Sequence, residues 1–422
     1  MNKHSFFQPR TANFADGALP MDAPRNECGA IVNGDTHARI AGKRVMVTGA
    51  GGSIGSELVA QIANLGPARL CLIDACEHNL YQVSYAISQH HPKLSAPACI
   101  CDIRDEIAMR DLFVRETPEI VFHAAALKHV PLLEDHNVIE AVRTNVLGTK
   151  ITLDLCCAFG SDFVMISTDK AVHPSSCMGL TKRVAELYVH DRALRFSGIR
   201  ASLVRFGNVV GSSGSVVPLF QRQIQNGGPV TVTHPKMTRF LMTIDGAVRL
   251  VLAASSLPQT GFALYVLDMG KPVVILDLAV EMIRRAGLTP FKDIGVEFIG
   301  TRPGEKLHEV LNYDWEILTP TEVEGVQSAA LHFDPEPKLH LIDSLLAAAN
   351  ARNVEEVKRK LIAVVPEYVR TRRLGECRSG SRSGGSRRGA SFPTRLLEND
   401  QKLLRASTRA ANKGELASPE FR

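Results

Sequence analysis

The sequence predicts an α/β protein with a doubly wound parallel sheet and a smaller lobe toward its C-terminal end. From Arg44 onward, short apolar runs of strand character alternate with segments whose apolar residues recur at helical spacing. Strand, helix and strand repeated in this way indicate a parallel sheet with helices on both faces. After Phe206 the alternation becomes less regular and Gly, Ser and Pro become frequent, which favours an added lobe. Ligands of such folds lie beyond the carboxyl ends of the strands.

Six predicted strands and four long helical patterns make up this alternation. The strands are RVMVTG (44–49), RLCLID (69–74), PACICDI (97–103), EIVFHAA (119–125), DFVMIST (162–168) and RASLVRF (200–206). The helical patterns between them cover 53–66, 107–117, 138–160 and 178–198. Two further helical patterns, 338–351 and 353–365, precede a basic tail.

Composition excludes several functional classes. The chain has 422 residues, of which 45% are apolar and 22% charged, as in ordinary globular proteins. Nine cysteines without a C-x-x-C pair favour reduced core thiols, so we expect neither a disulfide framework nor a metal site. The sequence contains no signal-peptide core and no uncharged run of membrane-spanning length. We therefore expect a cytoplasmic protein without membrane insertion.

The net charge of +5 comes from the C-terminal tail. Residues 371–422 hold twelve basic and five acidic side chains, a net +7 that leaves −2 for the rest of the chain. A mildly acidic body argues against a specific nucleic-acid partner. The segment RSGSRSGGSRRGASFP (378–393) predicts disorder, so we expect the tail to be dispensable for activity and stability.

A glycine-rich turn follows the first predicted strand. In VMVTGAGGSIG (45–55), glycine permits a tight turn and close backbone approach, so a pyrophosphate can rest on the helix N-terminus. The turn residues are Gly49, Gly52, Ser53, Ile54 and Gly55. Asp74 ends the second strand 19 residues after Gly55, where it can bind an adenosine ribose. Because a carboxylate there would repel a 2′-phosphate, the pattern favours a Rossmann-like site for NAD over NADP.

The next two strands supply further cofactor candidates. Asp102 and Ile103 end the third strand and are expected to flank the adenine. The other expected cofactor contacts are Ala124, Ala125, Lys128, Asn145 and Lys182. For His129, a loop histidine satisfied by the backbone is favoured over a catalytic base.

Candidate reacting groups follow the fifth strand. Thr168, Asp169 and Lys170 lie at the sheet edge where a substrate is expected. Met178 and Lys182 are four residues apart and share one helix face. Short-chain dehydrogenases place a catalytic Tyr four residues before such a Lys, but a thioether carries no proton to give and is a poor base. For Met178 alone, core packing is the better interpretation.

From about Lys43 to Tyr368 the chain resembles the extended short-chain dehydrogenase/reductases that act as nucleotide-sugar 4,6-dehydratases in bacterial polysaccharide biosynthesis. The shared motifs are GAGGSIGSEL, FHAAALKHVPLLE, RTNVLGT, ISTDKAV, VRFGNVVGSSGSVVPLF, VLDMG and RPGEKLHE. Long members with Met at the Tyr position also have an N-terminal membrane region. Here about forty polar residues precede the first strand, so we expect a soluble member or an excised catalytic part. A family HPK segment is replaced by EGVQ near Gln327.

The resemblance implies an NAD-dependent loss of water from a UDP-N-acetylhexosamine, with UDP-N-acetylglucosamine the expected substrate. It makes Asp169 the acid that releases water and Lys170 the base at C5. A basic Lys170 requires a lowered pKa, for which burial and the Lys182 cation are the expected causes. We assign the C4 hydroxyl proton to Thr168 or a water that it orders, and the nicotinamide ribose to Lys182.

The resemblance also implies a UDP-binding lobe. An Asn after the sixth strand and arginines in MTRF and TRPGEK match family residues that bind the diphosphate and the uridine ribose. The substrate-binding residues so implied are Lys128, Asn208, Val216, Arg239, Arg302 and Glu305. Taken singly, each charged one could equally be a surface ion pair.

Five segments result, and two other functions stay open. The segments are a polar leader (1–40), an NAD-binding Rossmann domain (41–206), an interleaved nucleotide-sugar lobe (207–320), C-terminal helices (321–370) and the tail (371–422). We expect a homo-oligomer. The alternatives are a nucleotide-sugar 4-epimerase, which normally keeps the Tyr, and a non-catalytic NAD-binding regulator, which leaves Asp169 and Lys170 unexplained.

Overall fold

The computed structural model describes residues 34–196, 198–330 and 339–368. The predicted leader up to residue 33 and the basic tail from residue 371 lie outside the described residues. Within the predicted leader, helix α1 (Gly34–Ile40) has Thr36 and Ile40 fully buried, so the packed body already includes these residues.

Fifteen strands are assigned in the described ranges. They are β1 Arg44–Thr48, β2 Arg69–Asp74, β3 Ala98–Ile100, β4 Ile120–His123, β5 Asp162–Thr168, β6 Ala201–Phe206, β7 Asn208–Val210, β8 Val230–Val232, β9 Thr238–Arg239, β10 Leu241–Thr243, β11 Phe262–Leu267, β12 Val273–Val274, β13 Val296–Phe298, β14 Ile317–Pro320 and β15 Val326–Ala330. All six predicted strands are present, and the third is the shortest of them.

Nine strands form one sheet in the order β14-β15-β11-β6-β5-β4-β1-β2-β3. The seven strands from β11 to β3 run parallel, and β15 and β14 add an antiparallel edge. The order β3-β2-β1-β4-β5-β6 is that of doubly wound dinucleotide-binding sheets. The predicted fold class is therefore confirmed. Three two-stranded sheets, β7 with β10, β9 with β12 and β8 with β13, lie in the later part of the chain.

The helices after α1 connect these strands. They are α2 Ser53–Asn64, α3 Glu77–His90, α4 Glu106–Glu116, α5 Val130–Leu133, α6 Val138–Val142, α7 Thr149–Phe159, α8 Cys177–Arg195, α9 Val216–Gln225, α10 Ile244–Ser256, α11 Ile275–Arg285, α12 Leu339–Asn350 and α13 Val354–Val364. A π-helical segment, Arg143–Gly148, joins α6 to α7, and a 3₁₀ turn, Asp169–Ala171, follows β5. The predicted helix 138–160 is thus continuous but wider at its centre.

Strand alternation divides the core between the two faces of the sheet. On β1, Val45 and Val47 pack into one cluster, whereas Met46 packs into the other. A third cluster, which includes Phe220 and Leu278, forms the core of the later segment. None of the helices in the described ranges has the length and apolar character needed to cross a membrane.

Candidate active site and cofactor groove

The turn between β1 and α2 admits only glycine at two positions. Gly49 has φ +68°, and a Cβ there would lie 2.6 Å from the Cα of Ala125. A Cβ on Gly55 would lie 1.9 Å from the carbonyl oxygen of Gly49. Gly52 is the N-cap of α2, which begins at Ser53 and runs on through Ile54. The backbone therefore reaches the helix N-terminus without side chains in the way, as an approaching pyrophosphate requires.

Asp74 is fixed beside this turn at the carboxyl end of β2. Its Oδ2 accepts a hydrogen bond from the Gly51 N–H (2.8 Å), and its Oδ1 accepts one from the Cys76 N–H (2.8 Å). The carboxylate is thus held in a fixed position beside the glycine turn.

Asp102 and Ile103 have partners within the protein. The Arg104 guanidinium donates to both Asp102 carboxylate oxygens and thereby lowers the pKa of Asp102. Ile103 is buried, and its Cδ1 would lie 2.3 Å from a Cβ placed on Gly148. Any contact of Ile103 with an adenine is therefore limited to the edge of a core side chain.

Asn145 supports the loop after β4 from behind. The loop contains Ala124, Ala125, Leu127 and Lys128. The backbone N–H of Leu127 donates to Asn145 Oδ1 (2.8 Å), and Asn145 Nδ2 donates to the Leu127 carbonyl oxygen (3.0 Å). The same amide donates to Thr181 on α8 (3.0 Å). Asn145 lies in the π-helical segment and is buried, so it positions the loop through its side chain.

Lys182 on α8 is buried against β5. Its ammonium donates to the carbonyl oxygen of Ile166 on β5 (2.8 Å). Burial lowers the pKa of Lys182 to about 8, although the carboxylate of Glu186 opposes the shift. Its charge is therefore sensitive to pH near neutrality.

Asp169 and Lys170 form a buried ion pair directly after β5. Asp169 Oδ1 accepts from the Lys170 ammonium (2.9 Å) and from the Thr168 hydroxyl (2.8 Å). Lys170 also donates to the Asn208 side-chain oxygen (3.1 Å). Asp169 is fully buried, and its Oδ2 has no hydrogen-bond partner among the described residues. A cluster predicted from consecutive residues is thus completed by Asn208 from another strand.

The pKa of Lys170 moves opposite to the expectation. Burial by itself lowers it, but the carboxylates of Asp169 and Glu309 outweigh burial and raise the pKa above its usual value. Lys182, the expected cause of a lowered pKa, instead bonds to the backbone of β5. The expectation of a lowered Lys170 pKa was wrong because it gave burial more weight than the adjacent Asp169 carboxylate, and because the sequence did not show that Glu309 also lies nearby.

Glu309 and Lys306 are the site residues that sequence reasoning missed. Glu309 is buried and lies 3.1 Å from the Lys306 ammonium, which also donates to the Val172 carbonyl oxygen (2.7 Å). Burial by itself raises the pKa of Glu309, but the positive charges of Lys170, Lys306 and Arg239 outweigh burial, so the pKa is lowered overall. Both residues stand in the RPGEKLHE motif, which was the available signal.

Met178 packs into the core of the helical layer. It is buried with Leu133 and Ala141, and Val130 packs against this group. Its side chain therefore has apolar neighbours, in agreement with packing as the better interpretation for Met178 alone.

A cavity of about 420 Å³ lies beside the ion pair. Predicted residues that line it are Lys128, Lys170, Asn208, Val216, Arg239, Arg302 and Glu305. Thr168, Asp169, Met178 and Lys182 are outside this lining. The structure therefore gathers the predicted nucleotide-sugar residues around one volume.

Two arginines at the cavity differ in their surroundings. Arg239 is 8% exposed, bonds to the Thr238 carbonyl oxygen (2.7 Å) and pairs with Glu305 (3.2 Å). Arg302 is exposed, and its backbone N–H donates to Glu305 (3.1 Å). Glu305 thus connects the two segments that carry these arginines.

His129 also lines the cavity, on the exposed loop after β4. Its Cε1 would lie 2.5 Å from a Cβ on Gly214, whose φ is +70°. Within the described ranges its ring makes no hydrogen bond to the backbone, so the predicted backbone partner is not found there, and the ring occupies the space that a Cβ on Gly214 would need.

A family model described as "Polysaccharide biosynthesis protein" matches residues 45–330. The chain belongs to this family. Capsular polysaccharide biosynthesis protein CapD of Staphylococcus aureus is 48% identical over 290 residues, which are 68% of this chain and 47% of CapD. The probable polysaccharide biosynthesis protein EpsC of Bacillus subtilis is 44% identical over 305 residues, 72% of this chain and 48% of EpsC. The chain spans about half the length of these two family members.

Other relatives carry the names of nucleotide-sugar enzymes. A UDP-glucose 4-epimerase of Rickettsia rickettsii is 32% identical over 347 residues, which cover 78% of this chain and 97% of the epimerase. Among solved structures, Pen from Bacillus thuringiensis is 31% identical with a TM-score of 0.59, covering 64% of this chain and 84% of Pen. The dTDP-glucose 4,6-dehydratase DesIV of Streptomyces venezuelae, solved with NAD and DAU, is 21% identical with a TM-score of 0.55, over 64% of this chain and 88% of DesIV. These matches place this family member in the extended short-chain dehydrogenase/reductase fold.

Proposed function

We propose that this protein is an NAD-dependent dehydratase that converts a UDP-N-acetylhexosamine, with UDP-N-acetylglucosamine as the first candidate, into a 4-keto-6-deoxy sugar nucleotide. The observation that carries the proposal is the buried Asp169–Lys170 pair at the carboxyl end of β5, beside a cavity that Arg239 and Arg302 line. A dehydratase needs an acid and a base at neighbouring sugar carbons, and this pair offers both.

The groove beside the glycine turn suits NAD. Gly49 and Gly55 allow the close backbone packing that a dinucleotide-binding turn requires, and we expect Asp74 beside this turn to accept hydrogen bonds from the adenosine ribose. When bound, the nicotinamide would supply a hydride acceptor for C4 of the sugar and, once reduced, a hydride donor for C6. The Thr168 hydroxyl, or a water that it orders, accepts the proton of the C4 hydroxyl. The positive charge of the buried Lys182 ammonium favours this deprotonation.

Because its pKa is raised, Lys170 is an ammonium before the reaction, and it can act as a base only after it gives a proton to Asp169. The two groups are 2.9 Å apart, so one proton can move from the ammonium to the carboxylate. The pair then consists of a neutral amine, which removes the C5 proton, and a carboxylic acid, which protonates the departing O6 as water. Substrate binding excludes water from the site and favours the neutral form of the pair.

The protons balance over the reaction. After elimination Lys170 is an ammonium again, and it delivers one of its three equivalent protons to C5. The proton released from the C4 hydroxyl restores the pair. The net change is the loss of one water from the sugar.

A proton NMR time course with UDP-N-acetylglucosamine and NAD in D₂O tests the proposal. We expect a new C6 methyl signal and deuterium at C5, because Lys170 exchanges its proton with solvent. Asp169→Asn, which keeps the size of the side chain, is the matched variant and should slow the appearance of the methyl signal by about 10²–10⁴. NAD binding without turnover would support the regulator instead.

A 4-epimerase is the second candidate, because the match covers 97% of the Rickettsia epimerase and 78% of this chain. In the same time course an epimerase gives the C4 epimer with its 6-hydroxyl intact. That product, without loss of water, would show that the Asp169–Lys170 pair does not perform elimination.

The cofactor half of the proposal has its own test. We expect NAD to bind far better than NADP, since the fixed Asp74 carboxylate repels a 2′-phosphate. Asp74→Ala should narrow this preference, as measured by calorimetric titration of both cofactors. Equal affinities in the unmodified protein would contradict the assignment of Asp74.

A further inference from the structure

Cys71 and Cys99 stand on adjacent parallel strands of the main sheet. In the register of β2 and β3, Ile73 pairs with Cys99, so Cys71 lies two residues earlier on the same face as Ile73. The two sulfur atoms are 4.0 Å apart. Cys71 is buried, whereas Cys99 is partly exposed on the edge strand. One thiol of the pair is therefore within reach of solvent.

Arg115, at the end of α4, lies against the more exposed thiol. Its guanidinium donates to Cys99 Sγ at 3.2 Å. A hydrogen bond from Cys71 lowers the pKa of Cys99 and Arg115 adds to this effect, although partial burial opposes it. The hydrogen bond to Cys99, together with burial, raises the pKa of Cys71. Cys99 is the nucleophile of the pair, because the thiolate is the reactive form.

We propose that Cys71 and Cys99 form an oxidation-sensitive dithiol that a hydroperoxide converts into an intramolecular disulfide. A disulfide has an S–S length of about 2.05 Å, so the sulfurs have to approach by about 2 Å. Cys71 and Cys99 are diagonal neighbours in this register, and Cα atoms in such positions lie about 7–8 Å apart, slightly farther than a disulfide allows. The backbone of β3 therefore has to shift toward β2, and β3 has only three residues and a free edge in the described sheet.

The chemistry proceeds in two balanced steps. The Cys99 thiolate attacks one peroxide oxygen, the O–O bond breaks, and Cys99 becomes a sulfenic acid. The departing hydroxide or alkoxide takes from solvent the proton that Cys99 released on ionisation and leaves as water or an alcohol. The Cys71 sulfur then attacks Cys99, the S–O bond breaks, and the departing hydroxide takes the Cys71 proton as water. Two thiols lose two electrons in total, and the hydroperoxide gains them.

Peptide mapping of the intact protein after brief treatment with hydrogen peroxide tests the proposal. Tryptic cleavage after Arg69 and Lys93 puts Cys71 and Cys76 in one peptide and Cys99 and Cys101 in the next. The experiment therefore uses the double variant Cys76→Ser/Cys101→Ser beside the unmodified chain. We expect the two peptides to become linked in both proteins and dithiothreitol to separate them.

Two single variants separate the steps. In Cys71→Ala the sulfenic acid has no resolving thiol, so dimedone should label Cys99. Cys99→Ser should remove the fast phase of thiol loss, which we expect to exceed the rate at the exposed Cys76 by about tenfold at neutral pH, given the larger thiolate fraction. Cys76→Ser is the matched control and should leave the fast phase unchanged.

Other linkages would overturn the proposal. A bond from Cys99 to another cysteine, a cross-link between two chains on a non-reducing gel, or oxidation of Cys99 no faster than Cys76 would each show that the pair is not a dithiol site. These outcomes do not depend on the dehydratase activity.

Discussion

Asp169 and Glu186 are both fully buried carboxylates, yet their surroundings differ. Glu186 on α8 accepts from the Ser167 hydroxyl (2.6 Å) and from Arg205 Nε (2.7 Å) on one oxygen. Its other oxygen accepts from Arg205 Nη2 (2.7 Å) and Arg183 (3.2 Å). Asp169, by contrast, accepts two hydrogen bonds on one oxygen and none from the described residues on the other.

Glu186 belongs to a hydrogen-bond network that contacts the chain on both sides of the segment 168–170. Ser167, which bonds to Glu186, immediately precedes the segment 168–170. Ala171, which follows it, accepts through its carbonyl oxygen from the hydroxyl of the buried Tyr313 (3.1 Å). Tyr313 in turn is tied through its N–H to Glu316 (2.9 Å), which pairs with Arg205.

The difference teaches how this fold separates support from reactivity. A buried charge is stable when its partners and hydrogen bonds are complete, and it is costly when they are not. Complete pairing at Glu186 fixes the backbone on both sides of the ion pair. The second oxygen of Asp169 is buried and accepts no hydrogen bond from the described residues, so this carboxylate is held less completely than that of Glu186.

The largest expected effect is on turnover, at the unsaturated carboxylate. Asp169→Asn and Lys170→Ala should each lower kcat by about 10²–10⁴, the usual contribution of general acid–base catalysis. The double variant should lose little more, because both groups serve one elimination. Steady-state rates on folded protein measure this. If Asp169→Asn keeps normal turnover, the division between reactive and supporting carboxylates fails.

The next effect is on stability, at the saturated carboxylate. Glu186→Gln leaves the buried Arg205 and Arg183 without their shared counter-charge, for which we expect a loss of about 3–5 kcal/mol in the free energy of unfolding. Urea unfolding gives the value, and Asp169→Asn is the control that should lose much less. Equal losses in the two variants would mean that both carboxylates serve the same structural purpose.

The pH dependence of this loss sharpens the test. Burial raises the pKa of Glu186, but Arg205 and Arg183 outweigh it and lower the pKa to about 2 from 4.5. The stabilisation is therefore complete above about pH 4.5 and is lost as the pH falls toward 2. The stability gap between the unmodified protein and Glu186→Gln should shrink over that window, and a constant gap would contradict the pairing.

Met178→Ala should have a smaller effect, mainly on stability. Removing most of a buried side chain from the contact with Leu133 and Ala141 should cost about 2 kcal/mol, the low end for such truncations. We expect turnover per folded molecule to fall less than tenfold. Loss of turnover comparable to that of Asp169→Asn would assign chemistry to Met178 and would overturn the proposed mechanism.

The smallest expected effect concerns Lys182. Because its pKa is lowered to about 8, the ammonium loses its proton as the pH rises through that value. NAD affinity should then fall by up to about tenfold between pH 7 and 9, following the charged fraction. Lys182→Arg stays charged and should bind NAD with little change over the same range. Fluorescence titration at several pH values measures both, and parallel declines would exclude Lys182 as the cause.

The sequence by itself determined the class of the sheet and the ends of several of its strands. Strand runs, helical spacing and the glycine turn are local patterns, and they predict where β1, β2 and β5 end and hence that Asp74 and the segment 168–170 lie at one edge. The Asp169–Lys170 contact was equally accessible, because the two residues are adjacent in the chain.

Only the tertiary structure decided the electrostatics of the site. Lys170 donates to Asn208 of β7 and is affected by the negative charge of Glu309. Arg205 pairs with both Glu186 and Glu316, and Glu316 is 111 residues after Arg205 in the chain. Cys71 and Cys99 likewise become neighbours only when β2 and β3 pair. A pKa or a thiol's reactivity depends on the distance and burial of groups in space, which hydrophobic periodicity along the sequence does not encode. The direction of the Lys170 shift was therefore mispredicted, although the residue itself stands where the sequence placed it.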